Sequence, residues 1–422
     1  MEAPPDRFRL GAARALFLRL AGATPGPTGL AASASAAALA ATVPEWADVR
    51  ALARREEVTA ALWPRLRSAL KAGGGMNGIL PEEVEEAFRR EAMVAEFGAR
   101  RLEAQLQEVL EILAGRGIEP VLLKGAGLAY SVFGGMARRP MRDLDLLVPR
   151  EALGSSLAAL ESAGWSPAGG QRPAGSYDAH QHAQPLVAPS GGAGVVELHG
   201  SLFPEGHPFR FHGSAVMGRA RRISSPIGAI LVPTAADQLL HACLHFAWSH
   251  ELRWGAWRAV ADIAALVGAA AADDAAAVGE GSMPATRALD EVAGTARAVS
   301  GATAVYWSLR LAATLGEVPV PEPWLAELEE GGWGESVAVE RHLVHQLLPG
   351  AGNVPSTFLA RALWSVALRP GRSGHGSSRP WLLGAASRDE QGGERRARHL
   401  SGLGRQLSAP GRWRSYLTTV LG

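Results

Sequence analysis

Residues 121–148 read VLLKGAGLAYSVFGGMARRPMRDLDLLV, two short apolar runs separated by a segment rich in glycine and arginine. The first run ends at Lys124-Gly125, and the second carries Asp143 and Asp145. Because side chains alternate between the two faces of a strand, both carboxylates point to one face. Two carboxylates about 4 Å apart repel by roughly 4 kcal/mol at an effective dielectric constant of about 20, so a cation is expected between them. The stretch therefore predicts two strands and a site for a hard divalent ion, Mg²⁺ or Mn²⁺.

Length and composition bound the class of protein. The 422 residues exceed what one hydrophobic core usually serves, so two or three domains are expected. A net charge of +1 with 47% hydrophobic residues excludes a disordered chain and indicates no stable nucleic-acid partner. The single cysteine, Cys243, excludes an internal disulfide and is typical of a reducing compartment. The apolar run 30–43 is too short to span a bilayer, so we expect a cytoplasmic protein without a transmembrane segment.

Lysine is rare in this chain, since only Lys71 and Lys124 occur among 42 basic residues. A compact ammonium meets a phosphate as a point charge where a wide guanidinium does not fit. Gly125 and Gly127 follow the first strand directly, and glycine lets backbone N–H groups approach a phosphate closely. The turn after the first strand is therefore predicted to contact phosphate.

An arginine-rich segment lies between this turn and the paired aspartates, and it contains Arg138, Arg139 and Arg142. Guanidinium groups bind phosphate through two parallel hydrogen bonds. We expect at least one of the three arginines to contact a triphosphate. The alternatives are a solvated loop, or arginines that pair with the aspartates themselves.

The order of these features resembles the nucleotidyltransferase superfamily with the DNA polymerase beta-like core. Within it the stretch is similar to an uncharacterised bacterial branch with an LLKG motif followed by R-x-x-D-x-D-L-L-V. The matching residues are Leu122, Leu123, Lys124, Gly125, Arg139 or Arg142, Asp143, Asp145, Leu146, Leu147 and Val148. The resemblance implies an α+β fold, in which a mixed-sheet nucleotidyltransferase core is flanked by N-terminal and C-terminal helical regions.

The resemblance also implies roles for individual residues. Asp143 and Asp145 are expected to bind catalytic metal, and a third carboxylate on a later strand is expected to complete the site. Many members of the superfamily carry Gly-Ser after the first strand, where this chain has Gly125-Ala126. Lys124 and the backbone amides of this turn are therefore expected to bind the nucleotide, together with Arg139 and Arg142.

The third carboxylate is predicted to be Glu197. The apolar runs 184–188 and 195–198 flank a glycine-rich turn, which predicts a hairpin, and Glu197 lies in its second strand. A lone acid in an apolar strand is costly, so Glu197 is expected to pair with a metal or a base. The alternative is an edge-strand glutamate that reaches water. His199 lies on the same face and is expected to orient Glu197 or to touch substrate.

Beyond Pro233 the pattern becomes helical and rich in histidine. His241 and His245 are one helical turn apart, a spacing that suits zinc, but the glutamate of an HExxH motif is missing. We therefore predict substrate-pocket histidines rather than a zinc site. Asp262 is expected to pair with Arg253 or Arg258.

Four regions are predicted along the chain, with a long helix before the core. That helix runs from about Pro81 to Ala114, between an acidic first turn and a glycine stop. Its apolar residues predict one buried face, formed by Val84, Phe88, Met93, Phe97, Leu102, Leu106, Leu110 and Leu113. The regions are an N-terminal helical region 1–117, the nucleotidyltransferase core 118–232, a C-terminal helical domain 233–368 and a basic tail 369–422. The tail is either solvated or makes weak contact with a partner or a membrane surface.

Taken together, the residues and the resemblance predict a metal-dependent nucleotidyltransferase. It would move a nucleotidyl group from an NTP such as ATP to an unidentified small-molecule or peptide acceptor, in natural-product or polysaccharide biosynthesis. Asp143, Asp145 and Glu197 are the predicted catalytic and metal-binding residues, and His199, His241 and His245 the predicted substrate-pocket residues. Two alternatives are a non-catalytic nucleotide- or partner-binding module and a zinc hydrolase that uses the histidine cluster.

Overall fold

The protein is an α+β structure in which one mixed sheet is combined with many helices, and this confirms the predicted fold class. The computed structural model describes residues 12–23, 43–72, 80–169, 177, 180–189, 191–253, 255–277, 287–329, 333–347, 362–365, 367–368 and 416. Of the predicted tail 369–422, only Tyr416 lies among the described residues, so its proposed contacts and the four-part division of the chain stay predictions.

Seven strands form the sheet within the described residues, in the order β3-β4-β5-β2-β1-β7-β6. They are β1 (Val121–Leu122), β2 (Asp143–Leu147), β3 (Ser166–Pro167), β4 (Leu186–Val187), β5 (Val195–His199), β6 (Arg221–Ser225) and β7 (Gly228–Val232). The β2-β5 and β1-β7 pairs are parallel, and the remaining pairs are antiparallel. The predicted hairpin is present as the antiparallel β4-β5 pair, although β4 is shorter than the apolar run suggested.

The register between β2 and β5 sets which side chains meet. Asp145 lies opposite Glu197, and Leu147 lies opposite His199. The intervening leucines, Leu144 and Leu146, pack into an apolar cluster on one face of the sheet. Because strand side chains alternate, Asp145, Glu197 and His199 are directed to the other face.

Thirteen helices are described around the sheet. They are α1 (Ala12–Gly22), α2 (Val43–Arg55), α3 (Thr59–Ala72), α4 (Glu82–Ala114), α5 (Lys124–Ser131), α6 (Leu153–Ser162), α7 (Gly213–Arg219), α8 (Ala235–Trp248), α9 (Ala256–Ala277), α10 (Arg287–Ala298), α11 (Ala302–Gly316), α12 (Glu322–Leu328) and α13 (Trp333–Leu347). Helices from before and after the core share one apolar cluster, in which Phe17 of α1 packs against Trp257 of α9. None of the described helices combines the length and apolarity needed to cross a membrane.

The long helix α4 begins and ends close to the predicted residues, but the prediction of one continuous buried face is wrong in its middle. Phe88 is buried against α3, where it stacks on Trp63, and Leu106 is buried against the sheet. Between them, Met93 and Phe97 are 65% and 67% exposed. The physical reason is that the two ends of α4 join different apolar clusters, and the middle of the helix bridges the gap between them.

Helix α5 follows β1 almost directly and begins at Lys124. This tight strand-to-helix turn requires a glycine in the first turn of the helix. A Cβ atom on Gly127 would overlap the carbonyl oxygen of Leu122. The close approach fixes where Lys124 lies relative to the acidic strand β2.

We expect Gly127→Ala to lower the free energy of unfolding by about 1–3 kcal/mol, because the added methyl group overlaps backbone that cannot yield cheaply. Gly98→Ala is the matched control, since Gly98 lies inside α4 with open space around it. That variant should be stabilised by about 0.5–1 kcal/mol through helix propensity alone. Urea unfolding of the two variants checks the prediction, and equal stability changes would contradict it.

Candidate active site

A cavity of about 560 Å³ opens between the acidic face of the sheet and helices α8 and α9. Lys124, Asp143, Asp145 and Glu197 form its sheet-side wall. Neighbouring strands and the β1-α5 turn supply these groups, so the fold brings together residues that are up to 73 positions apart in the chain. The cavity is the candidate active site.

Asp145 is the most buried acid in this wall, with 1% of its surface exposed. Its Oδ1 atom accepts hydrogen bonds from Lys124 Nζ at 2.6 Å and from His199 Nε2 at 2.7 Å. Burial alone would raise the pKa of Asp145, but the charge of Lys124 and the hydrogen bond from His199 hold that pKa well below its usual range. An ammonium group thus lies directly beside Asp145, and neither hydrogen bond uses Oδ2.

The two cationic partners are stabilised in return. Burial disfavours the charge on Lys124, yet Asp145 raises its pKa above the ordinary value. Burial and Lys124 oppose protonation of His199, but the hydrogen bond to Asp145 and the nearby carboxylate of Glu197 raise the pKa of this imidazole. Lys124, Asp145 and His199 therefore form one interacting group on the buried side of the cavity wall.

Glu197 completes the acidic wall from β5. Its Oε2 atom lies 3.6 Å from His199 Nε2 and 3.7 Å from His182 Nε2. Asp145, Glu197 and His199 each offer one ligand atom, and these atoms all lie within 4.8 Å of one another. Two carboxylates and an imidazole are a donor set that divalent metals accept, so these residues fit a metal ion. Sequence reasoning did not assign His199 to the metal, although its two-residue spacing from Glu197 in a strand carried that signal.

Asp143 lies at the rim of the cavity and forms no ion pair with any described residue. Solvent reaches its side chain through the cavity, while protein surrounds it on the other sides. This partial loss of water and the negative charge of Asp145 raise the pKa of Asp143. The paired aspartates thus share a face as predicted, but their environments differ.

The predicted nucleotide-binding arginines occupy two distinct environments. Arg139 is buried and donates to Asp262 through Nε at 2.6 Å and Nη2 at 2.8 Å. This pair corrects the expected partner of Asp262, which was Arg253 or Arg258. The segment before β2 and helix α9 meet in the tertiary structure, and no local spacing shows that contact. Arg142 is instead exposed at the cavity rim, where it forms an ion pair with Glu57.

The turn after β1 contributes mainly backbone to the cavity. Gly125 lines the cavity, and a Cβ atom there would press on the side chain of Met141. Ala126 is fully buried, and its methyl group packs into the apolar cluster on the opposite face of the sheet. The side chain of Ala126 therefore faces the core, and only the backbone of this residue remains available for the predicted nucleotide contact.

Histidines from α8 and from the turn after it form the far wall of the cavity. His241, His245 and His250 line it, and the ring of His241 packs edge-on against Phe203 at 5.6 Å. Burial lowers the pKa of His241 to about 3 and that of His250 to about 4, and it holds the pKa of His245 well below 6.5. All three are neutral at pH 7. Among the described residues they belong to no group with metal-ligand geometry.

Sequence reasoning did not assign Glu57 or Arg258 to the site, although both line the cavity. Glu57 lies in the turn between α2 and α3, and Arg258 lies in α9. Arg258 donates through Nη2 to the backbone carbonyl of Glu56. Neither residue falls in a recognisable motif, because each reaches the cavity through the packing of helices against the core.

Comparison with known protein families gives a match over residues 42–285, to a family described as "Uncharacterised nucleotidyltransferase". The match covers more than half of the 422 residues and includes both walls of the cavity. No curated protein matches the sequence.

We expect the free energy of unfolding to fall as the pH drops below 6.5. Unfolded histidines bind protons with an ordinary pKa of about 6.5, whereas burial lowers the pKa of folded His241 to about 3. This stabilising contribution is complete above pH 6.5 and is lost towards pH 3, with a slope of about 1.4 kcal/mol per pH unit for one such histidine. In denaturant unfolding between pH 7 and pH 5, His241→Gln should show a shallower slope than the wild type. The exposed His212→Gln variant is the control, and equal slopes for wild type and His241→Gln would refute the assignment.

The buried ion pair gives a second prediction. Asp262→Asn should lower the free energy of unfolding by about 3–5 kcal/mol, because it leaves the buried guanidinium of Arg139 without its carboxylate. The double variant Arg139→Met, Asp262→Leu should recover much of that loss, since it removes both charges together. A thermodynamic cycle over Arg139→Met, Asp262→Leu and their double variant measures the coupling. Additive effects would show that the pair is not coupled.

Proposed function

The chain belongs to the nucleotidyltransferase family that it matches, and on that premise we propose a metal-dependent transfer of a nucleotidyl group from an NTP to an acceptor. The observation that carries the proposal is the parallel pairing of β2 with β5. This pairing sets Asp145 beside Glu197 on a cavity wall that Asp143 and Lys124 share. Carboxylates that converge at the edge of a cavity can hold a divalent metal. The metal and a neighbouring cation can then stabilise negative charge on phosphate oxygens.

We propose that Asp143, Asp145 and Glu197 hold Mg²⁺ or Mn²⁺, with His199 close enough to join them. The bound metal would stabilise the charge that develops on the attacking and leaving oxygens. In the protein as described, Lys124 neutralises Asp145 and leaves Asp143 facing the cavity. The carboxylate of Glu197 reaches the same wall and is the group proposed to help activate the acceptor.

The phosphate tail of the nucleotide would meet cations of the chain itself. Lys124 lines the cavity beside Asp145 and directly precedes Gly125, and its ammonium is proposed to offset phosphate charge. Arg142 is exposed at the rim and is proposed to bind phosphate directly. Arg139 also lines the cavity. Its guanidinium is held by Asp262, and its positive charge is proposed to support phosphate binding nearby. The backbone of Gly125 and Ala126 completes the proposed nucleotide site.

The acceptor would occupy the opposite side of the cavity. His241 and His245 present neutral imidazoles there, which can donate or accept hydrogen bonds without attracting a second anion. A volume of about 560 Å³ suits a small molecule or one end of a peptide. We propose an acceptor of that kind, in natural-product or polysaccharide biosynthesis in the cytoplasm, with ATP as a candidate donor. No stable nucleic-acid partner is proposed.

One observation favours a second candidate, nucleotide binding without transfer. Oδ1 of Asp145 already accepts two hydrogen bonds, from Lys124 and His199. If these contacts persist when nucleotide is present, Asp145 has less capacity to bind metal. Calorimetry that detects nucleotide binding, with no product after prolonged incubation, would support this candidate.

The transfer reaction is tested with Asp143→Asn. We expect Mg²⁺-dependent release of pyrophosphate from an NTP, measured with cell extract as the source of acceptor, to fall at least about a hundredfold, because the metal that would stabilise transition-state charge loses a proposed ligand. Asp143 forms no ion pair with a described residue, so this variant should stay folded, whereas Asp145→Asn would leave Lys124 and His199 without their partner. Asp48→Asn, an exposed change in α2, is the matched control. Unchanged pyrophosphate release by folded Asp143→Asn would contradict the proposed catalytic role of Asp143.

A further inference from the structure

The turn between α2 and α3 reaches the mouth of the cavity and contacts two arginines there. The Glu57 carboxylate forms an ion pair with Arg142, and the backbone carbonyl of Glu56 accepts a hydrogen bond from Arg258. Both arginines and Glu57 line the cavity. Adjacent residues of one turn thus engage two guanidinium groups that come from different parts of the chain.

The backbone of this turn is held by its own hydrogen bonds. Glu57 adopts a left-handed conformation with φ of 57°, and the amide of Val58 donates to the carbonyl of Ala53 at 2.8 Å. This conformation costs a residue other than glycine about 1–2 kcal/mol, which the closing hydrogen bonds of the turn offset. The side chain of Glu57 is therefore the part of the turn that can leave its partner without unfolding the turn.

The charges of the lining residues show where an anion would bind. Lys124 is paired with Asp145, and Arg139 is paired with Asp262. Arg258 has no carboxylate within ion-pair distance among the described residues, and its hydrogen bond goes to a neutral carbonyl group. Among the lysine and arginine residues of the described cavity lining, Arg258 is thus the one that forms no ion pair.

We propose that Arg142 and Arg258 form an anion subsite for the phosphate tail of the nucleotide, and that Glu57 occupies part of this subsite until phosphate replaces it. The identity of the anion rests on the proposed function, since phosphate is the anionic group of an NTP. The subsite itself rests on the two arginines and on the carboxylate that one of them now binds. The acidic turn would thus compete with substrate at the mouth of the cavity.

The exchange is energetically reasonable because the Glu57–Arg142 pair is weak. The Arg142 side chain is 78% exposed and that of Glu57 is 37% exposed, and water screens such pairs strongly. A polyphosphate offers more oxygens and more charge than one carboxylate, and both anions fit the guanidinium fork. The buried Arg139–Asp262 pair cannot exchange in the same way, because separating it leaves two uncompensated charges in the protein.

The test measures binding of inorganic tripolyphosphate in the presence of Mg²⁺ by titration calorimetry, on the full chain. Glu57→Gln removes the competing carboxylate and keeps the size of the side chain, so binding should tighten about two- to fivefold. Arg258→Gln should weaken binding about tenfold or more, through loss of a charged hydrogen bond. Glu119→Gln is the control with the same charge change, because Glu119 pairs with Arg222 on the exposed edge of the sheet.

Tighter binding by Glu57→Gln, with no change in Glu119→Gln, supports the inference, since loss of a merely structural contact would not improve affinity. Unchanged or weaker binding by Glu57→Gln overturns the inference. Wild-type affinity in folded Arg258→Gln also overturns it, and so does the absence of tripolyphosphate binding to the wild type at millimolar concentration. The proposed function is judged separately by pyrophosphate release from an NTP. Release without these variant effects would keep the transferase and remove the subsite. The variant effects without release would keep the subsite and remove the reaction.

Discussion

The burial of the Asp145 carboxylate is the constraint on which the rest of the site depends. An ionised acid with 1% exposure is tolerated only where its charge is matched, and Lys124 and His199 both supply that match. Each partner is delivered by a fixed element, since Lys124 opens α5 directly after β1 and His199 ends β5 beside β2. The register of the sheet and the position of the tight β1-α5 turn therefore set the pKa values of Lys124, Asp145 and His199.

The two faces of the sheet differ in polarity as a result: one is apolar and packs into the core, and the other carries the acidic residues. Leucines and valines on one face pack against α4 and give β2 and β5 a rigid apolar support. The opposite face carries the acids, and helices α8 and α9 close over it to form the cavity. A polar cluster of this kind needs such support, because small displacements of Glu197 or Lys124 would leave charges unmatched in a region with little water.

The arginines around the cavity differ in their capacity to respond to a ligand. Arg139 is buried, makes two hydrogen bonds to Asp262 and so serves to join α9 to the segment before β2. Arg142 and Arg258 lie nearer to solvent. Arg142 forms an exposed ion pair, and Arg258 forms a hydrogen bond to a carbonyl group. Because a screened contact is exchanged at little cost and a buried one is not, the rim of the cavity is where a change on substrate binding is expected.

The sequence by itself determined the acidic strand, the Lys-Gly turn and the later Glu-x-His strand, because alternation and glycine placement are local properties that survive any tertiary arrangement. The α+β class followed from the resemblance of this motif order to a known superfamily. It also brought out His241 and His245, whose one-turn spacing is visible in the chain. Only the tertiary structure decided that Lys124 and His199 share Asp145, that Asp262 holds Arg139, and that Glu57 and Arg258 reach the cavity. It also decided that Met93 and Phe97 are exposed, although their spacing fits a buried face. These outcomes depend on which elements pack together over long separations, and helical or strand periodicity shows that a face is apolar without showing what covers it.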